Sequence, residues 1–210
     1  MNDKTDVNTK DALLAAAIEV FADKGFDAAT VRDICGKANA NVAAVNYHYG
    51  GKDALYVAAL EQVFPMEEHT DISTDTSLEP EERLRVYLTM MVDEIYERGN
   101  GMVNERWAIF LREMAKPSPN LDFIVHRQVE PRANELREIV AAILGPDTPD
   151  QVLAFSSSNI WAMMLDHVLT QPILDRLSLK RPAVKGNRNS FVQHLVRFAL
   201  GGLNAVKGQN

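Results

Sequence analysis

With a single cysteine, Cys35, the chain can form no internal disulfide, and this thiol scarcity fits the reducing cytoplasm, its expected location. No apolar run approaches the roughly 18–20 residues that a bilayer-spanning helix requires. Positive charge is also short. The formal net charge is −7, which argues against a protein that coats nucleic acid through a basic field. In the first 52 residues Lys4, Lys10, Lys24, Arg32, Lys37 and Lys52 are offset by Asp3, Asp6, Asp11, Glu19, Asp23, Asp27 and Asp33. Residues 1–8 are polar and read as a disordered tail rather than an apolar leader, and 205–210 read as a second tail.

Catalytic signatures are missing as well. His48, His69, His126, His167 and His194 have no histidine four residues away, and no His-Glu-x-x-His stretch exists. Gly50-Gly51-Lys52-Asp53 lacks the upstream glycine and the Ser/Thr of a phosphate loop, and there is no Gly-x-Ser-x-Gly elbow. Glu67, Glu68, His69 and Glu105 are metal-capable, but the first three fall in an acidic stretch that reads as solvated chain. Cys35 sits where a helix would face a core, not where a redox sensor would be exposed. The expectation is a non-enzyme with no cofactor and no metal.

What the chain does have is helical periodicity almost throughout, so the expected class is all-α. Leu14, Ala17, Ile18 and Phe21 form one apolar stripe on a helix that Gly25 should end. Thr30 should cap a short second helix, Asn39 suits a left-handed turn, and Asn41 should cap a third helix running to Tyr49. Gly50-Gly51 breaks the chain before a fourth helix over 52–65. A polar stretch over 67–78 reads as a linker. Helices follow over 79–98, 103–116 and 120–144, the last bent near Pro131. Thr148-Pro149-Asp150-Gln151 predicts a helix start with Thr148 as N-cap, opening a helix to about residue 171. The last helix is expected over 187–203.

Two short helices joined by a tight turn, the second carrying Asn, Tyr and His, suggest a helix-turn-helix. Its second helix would enter the major groove. Val45 and Tyr49 would face the core, turning Val42, Ala43 and Asn46 outward, where Asn46 can pair with adenine and aliphatic groups can touch a thymine methyl. Tyr47 and His48 suit phosphates. Lys52, with the amides opening the fourth helix, can converge on one more. Spacing alone leaves open a plain helical hairpin, and with it a helical ligand-binding or interaction protein without DNA-binding activity.

The stretch 16–55 resembles the DNA-binding domain of TetR/AcrR-type transcriptional regulators. The resemblance rests on Ala17-x-Glu19-x-Phe21-Ala22-x-Lys24-Gly25-Phe26, on Ala28-Ala29-Thr30-Val31-Arg32-Asp33-Ile34, and on Val45-Asn46-Tyr47-His48-Tyr49-Gly50-Gly51-Lys52. It implies a homodimeric one-component regulator, a repressor of genes next to a palindromic operator, released by a small molecule. By position it makes Thr30, Arg32, Tyr47, His48 and Lys52 DNA-backbone contacts. Val42, Ala43, Ala44 and Asn46 become base-facing residues, with Asn41 at the head of the reading helix. Asn39 stands where many members have Gly, Asn41 where Ser is frequent, and Asn46 where an aromatic is usual. Arg112-Glu113-Met114-Ala115-Lys116-Pro117-Ser118-Pro119 is similar to a subgroup of drug-responsive repressors that control efflux genes.

These readings divide the chain into an operator-reading domain at 9–52 and a sensing and dimerisation domain at 53–204. The expected effector is small and apolar or amphipathic, with candidate contacts at Tyr87, Met91, Trp107, Phe110, Leu111 and Met114. Asn159, Trp161 and His167 are polar-capable groups on an otherwise apolar helix and are candidates to orient it. The helices over 149–171 and 187–203 carry more apolar surface than one side contact would use, which suggests a four-helix homodimer interface.

Overall fold

The computed structural model describes residues 3–65, 71–96, 105–177, 184 and 186–207; among them the side chains of 3–7, 167, 168, 171 and 172 are left aside. Every regular element among the described residues is helical. In chain order these are α1 (Asp3–Ala28), α2 (Val31–Ala38), α3 (Val42–Tyr49), α4 (Lys52–Val63), a single 3-10 turn (Ile72–Thr74), α5 (Pro80–Tyr96), α6 (Glu105–Ala115), α7 (Leu121–Ile124), a wide π turn (Val125–Val129), α8 (Glu130–Leu144), α9 (Asp150–Leu169), α10 (Gln171–Leu174) and α11 (Arg188–Lys207). The chain forms two compact units, one of Met1–Glu68 with Asn104–Val129, the other of His69–Val103 with Glu130–Asn210.

In the first unit α1 begins at Asp3, inside the stretch that composition reads as a tail. Gly25 does not simply end it. With φ 75 and ψ 171 Gly25 steps out of helical dihedrals, and one further turn follows before Ala29. The positive φ is open to glycine at little steric cost. The core behind α2 and α3 is built from Leu13, Ala17 and Phe21 of α1, Ile34 of α2, Val45 of α3, and Leu55, Tyr56 and Leu60 of α4, all 1 % exposed or less. The Tyr56 ring packs edge-on against Phe21 at 4.6 Å and lies 4.8 Å from Phe26.

The second unit is organised around α5, α8 and α11. Leu84, Leu88, Val92 and Ile95 on α5 meet Leu136, Ile139, Val140 and Ile143 on α8, and Leu195, Val196 and Ala199 of α11 close the core. Lys207 donates to the Ile143 carbonyl at 2.7 Å near the end of α8, where helix carbonyls carry negative charge. Two buried polar groups stitch the interior. The Tyr87 hydroxyl donates to the Arg132 carbonyl at 3.1 Å, and the Glu135 carboxylate accepts the Ile72 amide at 2.8 Å.

Further boundaries differ from expectation, and α11 runs on to Lys207, into the stretch that reads as a second tail. Helix α9 opens at Asp150 with Pro149 as its N-cap and no side-chain cap, so Thr148 lies one residue too early. Pro149 sits at ψ 142, and its carbonyl accepts from the Val152 and Leu153 amides, making it the last extended residue rather than the first helical one. The continuous helix expected over 120–144 is divided by the π turn at Val125–Val129. Pro131 has no N–H for the carbonyl four residues back, and the hydrogen-bond ladder changes register just ahead of it. Gly99-Asn100-Gly101, whose glycines predict the break between the helices expected over 79–98 and 103–116, lies outside the described residues.

Candidate nucleic-acid interface

Both short helices are capped by side chains at their N-termini, and the turn between them is closed at the α2 end by backbone hydrogen bonds. Thr30 precedes α2 in extended conformation. Its hydroxyl oxygen accepts the Asp33 amide at 3.1 Å, while the Asp33 carboxylate accepts the Thr30 amide at 3.1 Å and its hydroxyl at 2.7 Å. Lys24 pairs with Asp33 at 2.8 Å. That lysine, with the Thr30 donors, holds the Asp33 carboxyl down at a pKa of about 2. Asn39 closes α2 with φ 50, a left-handed conformation that Asn tolerates better than branched residues, and the Ala40 amide donates to the Cys35 carbonyl at 2.9 Å. Asn41 then caps α3 by accepting the Ala43 amide at 2.9 Å.

Helix α3 has one face in the unit and one in solvent. Val45 is wholly buried, whereas Val42 is 45 % and Tyr47 75 % exposed. Ala43 and Asn46 are exposed with them, and Ala44 is half-buried. His48 is half-buried with its ring 4.9 Å from that of Tyr47. Tyr49 turns inward, its hydroxyl donating to the Lys10 carbonyl at 2.8 Å. Arg32 is exposed on α2. Lys52, at the first turn of α4, holds its ammonium 4.5 Å above the Phe26 ring and 3.4 Å from the Asp27 carbonyl. Cys35 is buried against the turn, its Sγ 3.6 Å from the Asn41 carbonyl, and burial pushes its thiol pKa up.

Of the candidate effector contacts, Trp107 and Phe110 come together on α6 in the first unit, edge to face with centroids 5.2 Å apart and both buried. Leu111 is half-buried and Met114 is half exposed. Tyr87 and Met91 are buried one turn apart on α5 in the second unit. On α9 of that unit Asn159 is exposed and Trp161 half-buried; the side chain of His167 is outside the described set. Among the described residues no group of three His, Cys, Asp or Glu can hold a metal, and no helix is long and apolar enough to cross a membrane. Glu105 is exposed at the start of α6; Glu67, Glu68 and His69 lie outside the described residues.

A further set of residues escaped the sequence reading. Glu113, only 2 % exposed, accepts the Tyr56 hydroxyl at 2.5 Å and the Ser118 amide at 2.9 Å. Arg112 donates to the Ala22 carbonyl at 2.6 Å and also to the Asp23 carbonyl, and Lys116 pairs with Asp27 at 2.7 Å. The legible signal was Glu113 itself, a charge on the same stripe as Trp107 and Phe110.

A short capped helix, a three-residue turn and a second capped helix with one face buried and the other open form a helix-turn-helix head. Residues 13–59 match the profile described as bacterial regulatory proteins, tetR family, and residues 80–203 match the C-terminal domain of the HTH-type transcriptional dual regulator CecR. The chain belongs to the TetR family of transcriptional regulators, with a C-terminal domain of the CecR type.

Among individual relatives, it is 28% identical over 86 residues to the HTH-type transcriptional repressor NicS of Pseudomonas putida, a stretch covering 40% of this chain and 41% of NicS. It is 39% identical over 54 residues to CecR of Shigella flexneri, 26% of this chain and 24% of that one. Each match thus spans less than half of the curated relative. The fold is similar to that of the hemolysin II transcriptional regulator HlyIIR, with TM-score 0.64 and 20% identity over 91% of this chain and 97% of the other.

Proposed function

We propose that this protein is a one-component transcriptional repressor that binds a palindromic operator as a homodimer and is released by a small apolar or amphipathic effector. The observation that carries this reading is the division of α3, where Val45 is fully buried while Val42, Ala43, Asn46 and Tyr47 face solvent. Operator reading falls to residues 9–52, sensing and dimerisation to 53–204. Val42, Ala43, Ala44 and Asn46 meet base edges. Asn41, Arg32, Tyr47, His48, Lys52 and the Thr30 end of α2 meet the sugar-phosphate backbone.

The dimer uses α9 and α11. Phe155 on α9 is 62 % exposed and Phe198 on α11 is 65 % exposed, large apolar groups that a lone chain leaves in water. Gly201 and Gly202 lie within α11, where each costs about 1 kcal/mol relative to Ala, yet a Cβ at either would meet nothing among the described residues. Close approach of a second copy accounts for both. A two-fold dimer then sets its two α3 helices about 34–36 Å apart, or a multiple, to meet successive major grooves. Candidate effector contacts are Trp107, Phe110, Leu111 and Met114 in the first unit and, taken separately, Tyr87, Met91, Asn159, Trp161 and His167 in the second. The Arg112–Pro119 stretch supports membership of a drug-responsive group that governs efflux genes.

A gel shift with the DNA upstream of the protein's own gene, repeated with Tyr47→Ala and Lys52→Ala, tests the reading. Retarded DNA with the wild type and weaker retardation with both variants is the expected result. Failure to bind any site selected from random DNA overturns it.

A further inference from the structure

We propose that Arg112 and Glu113, sixty residues beyond the helix-turn-helix, are positioning residues for operator binding: they clasp the end of α1 and the middle of α4 and so hold α3 at its working angle. The inference rests on the operator reading above and assigns α6 a part in it that touches no DNA.

Every contact of this clasp converges on one place. Gly25 takes α1 out of helical dihedrals, and the carbonyls of the preceding turn, Ala22 and Asp23, accept from the Arg112 guanidinium. A cation at the carbonyl end of a helix is favoured by the helix dipole as well as by the hydrogen bonds. One turn further on, just past the end of α6, Lys116 pairs with Asp27, the residue whose carbonyl Lys52 also approaches. Between these two contacts Glu113 receives the Tyr56 hydroxyl, and the Tyr56 ring is wedged against Phe21 and Phe26 of α1.

The clasped segment leads straight into Thr30, the cap of α2, and α1 supplies the floor on which α2 and α3 rest. A guanidinium on two carbonyls and a buried carboxylate on a phenol are directional contacts, unlike the apolar packing around them, so they fix an angle as well as a distance. Their loss leaves the helices folded on the same core while the end of α1, and with it the α2–α3 pair, gains freedom.

The test uses the full chain and an operator selected from random DNA by the wild type. Arg112→Ala, Arg112→Lys and Glu113→Gln are compared by fluorescence anisotropy at temperatures where circular dichroism shows each fully folded, across a salt series. Hydrogen exchange over residues 22–29 is measured alongside. Arg112→Ala is expected to weaken operator binding about ten-fold, within the range by which residues remote from a ligand alter affinity. Its salt slope should stay that of the wild type, Arg112→Lys should recover part of the loss, and exchange over 22–29 should rise.

Unchanged affinity in folded Arg112→Ala overturns the proposal. So does a slope shallower by about one phosphate contact, which would make Arg112 a direct DNA ligand. If Arg112→Ala does not fold, wild-type affinity in both Arg112→Lys and Glu113→Gln overturns it equally. A wild type that selects no operator overturns the functional reading and this inference together, whereas unaffected variants beside a binding wild type overturn this inference alone.

Discussion

The Tyr56 hydroxyl donates a 2.5 Å hydrogen bond to the Glu113 carboxylate, joining residues 57 positions apart that are both nearly inaccessible to solvent. Burial, with the carboxylate alongside, pushes the Tyr56 phenol pKa well above its ordinary value, so it remains a donor. The pair is worth most when its loss would strand one partner. Tyr56→Phe is therefore expected to destabilise the fold by roughly 1–3 kcal/mol, the cost of a buried acceptor losing its donor. Tyr56→Phe combined with Glu113→Leu should cost less than the sum of the single changes. Urea unfolding of the four proteins closes the cycle, and strict additivity would refute the coupling.

Tyr47 and Val45 sit two residues apart on α3 and should separate function from stability. Tyr47→Ala removes a side chain 75 % exposed and should leave the urea midpoint nearly unchanged, within about 0.5 kcal/mol. Its operator affinity should fall by roughly ten-fold. Val45→Ala instead empties space at a fully buried position and should cost on the order of 1–3 kcal/mol in stability. Denaturation and anisotropy on the same preparations distinguish the two patterns.

The caps around the turn were the most legible part of the sequence. Thr30, Asn39 and Asn41 each perform by a short-range bond or dihedral preference that depends on a few neighbouring residues, and each does in the structure what its side chain suggests. Thr148 shows the limit: Thr-Pro-Asp-Gln satisfies two start patterns one residue apart, and Pro149 took the cap. The clasp of Arg112 and Glu113 was not legible as such, because its partners Ala22, Asp23 and Tyr56 are dozens of residues distant and offer mainly backbone oxygens and a phenol. The π turn at Val125–Val129 was legible only as a bend, since a missing N–H locates a defect without choosing its form.

Asp33 supplies a pH prediction. Its carboxyl is held at about 2, against 3.8 unperturbed, so the folded state prefers the ionised form. A lowered folded-state pKa adds stability that is fully present above the unfolded value and is lost as pH falls toward the folded one. Wild-type stability should therefore fall between about pH 4 and pH 2 partly through this group, and Asp33→Asn should flatten that limb while lowering the plateau above it. Urea midpoints across the acid range provide the check; parallel curves would argue against it.

The exposed phenylalanines make a separate test of assembly. Phe155→Asp or Phe198→Asp should shift the chain from dimer to monomer in sedimentation velocity while leaving its helix content by circular dichroism intact. Operator binding should weaken with the dimer, since two half-sites are then no longer engaged as one. A monomeric wild type, or variants that stay dimeric, would remove α9 and α11 from the interface.

Lys24 lies on Asp33 and Lys37 on Glu19, at 2.8 and 2.6 Å, so two of the cations carried by α1 and α2 already have an anion within the unit. Inside a cell every stretch of chromosome competes for a regulator, and that competition is almost wholly electrostatic. On the proposed function, a head with these two lysines already paired would dwell more briefly on irrelevant sequence. Fewer copies of the proposed dimer would then be sequestered along the genome, a modest number would keep an operator occupied, and release would need only a small change in fit.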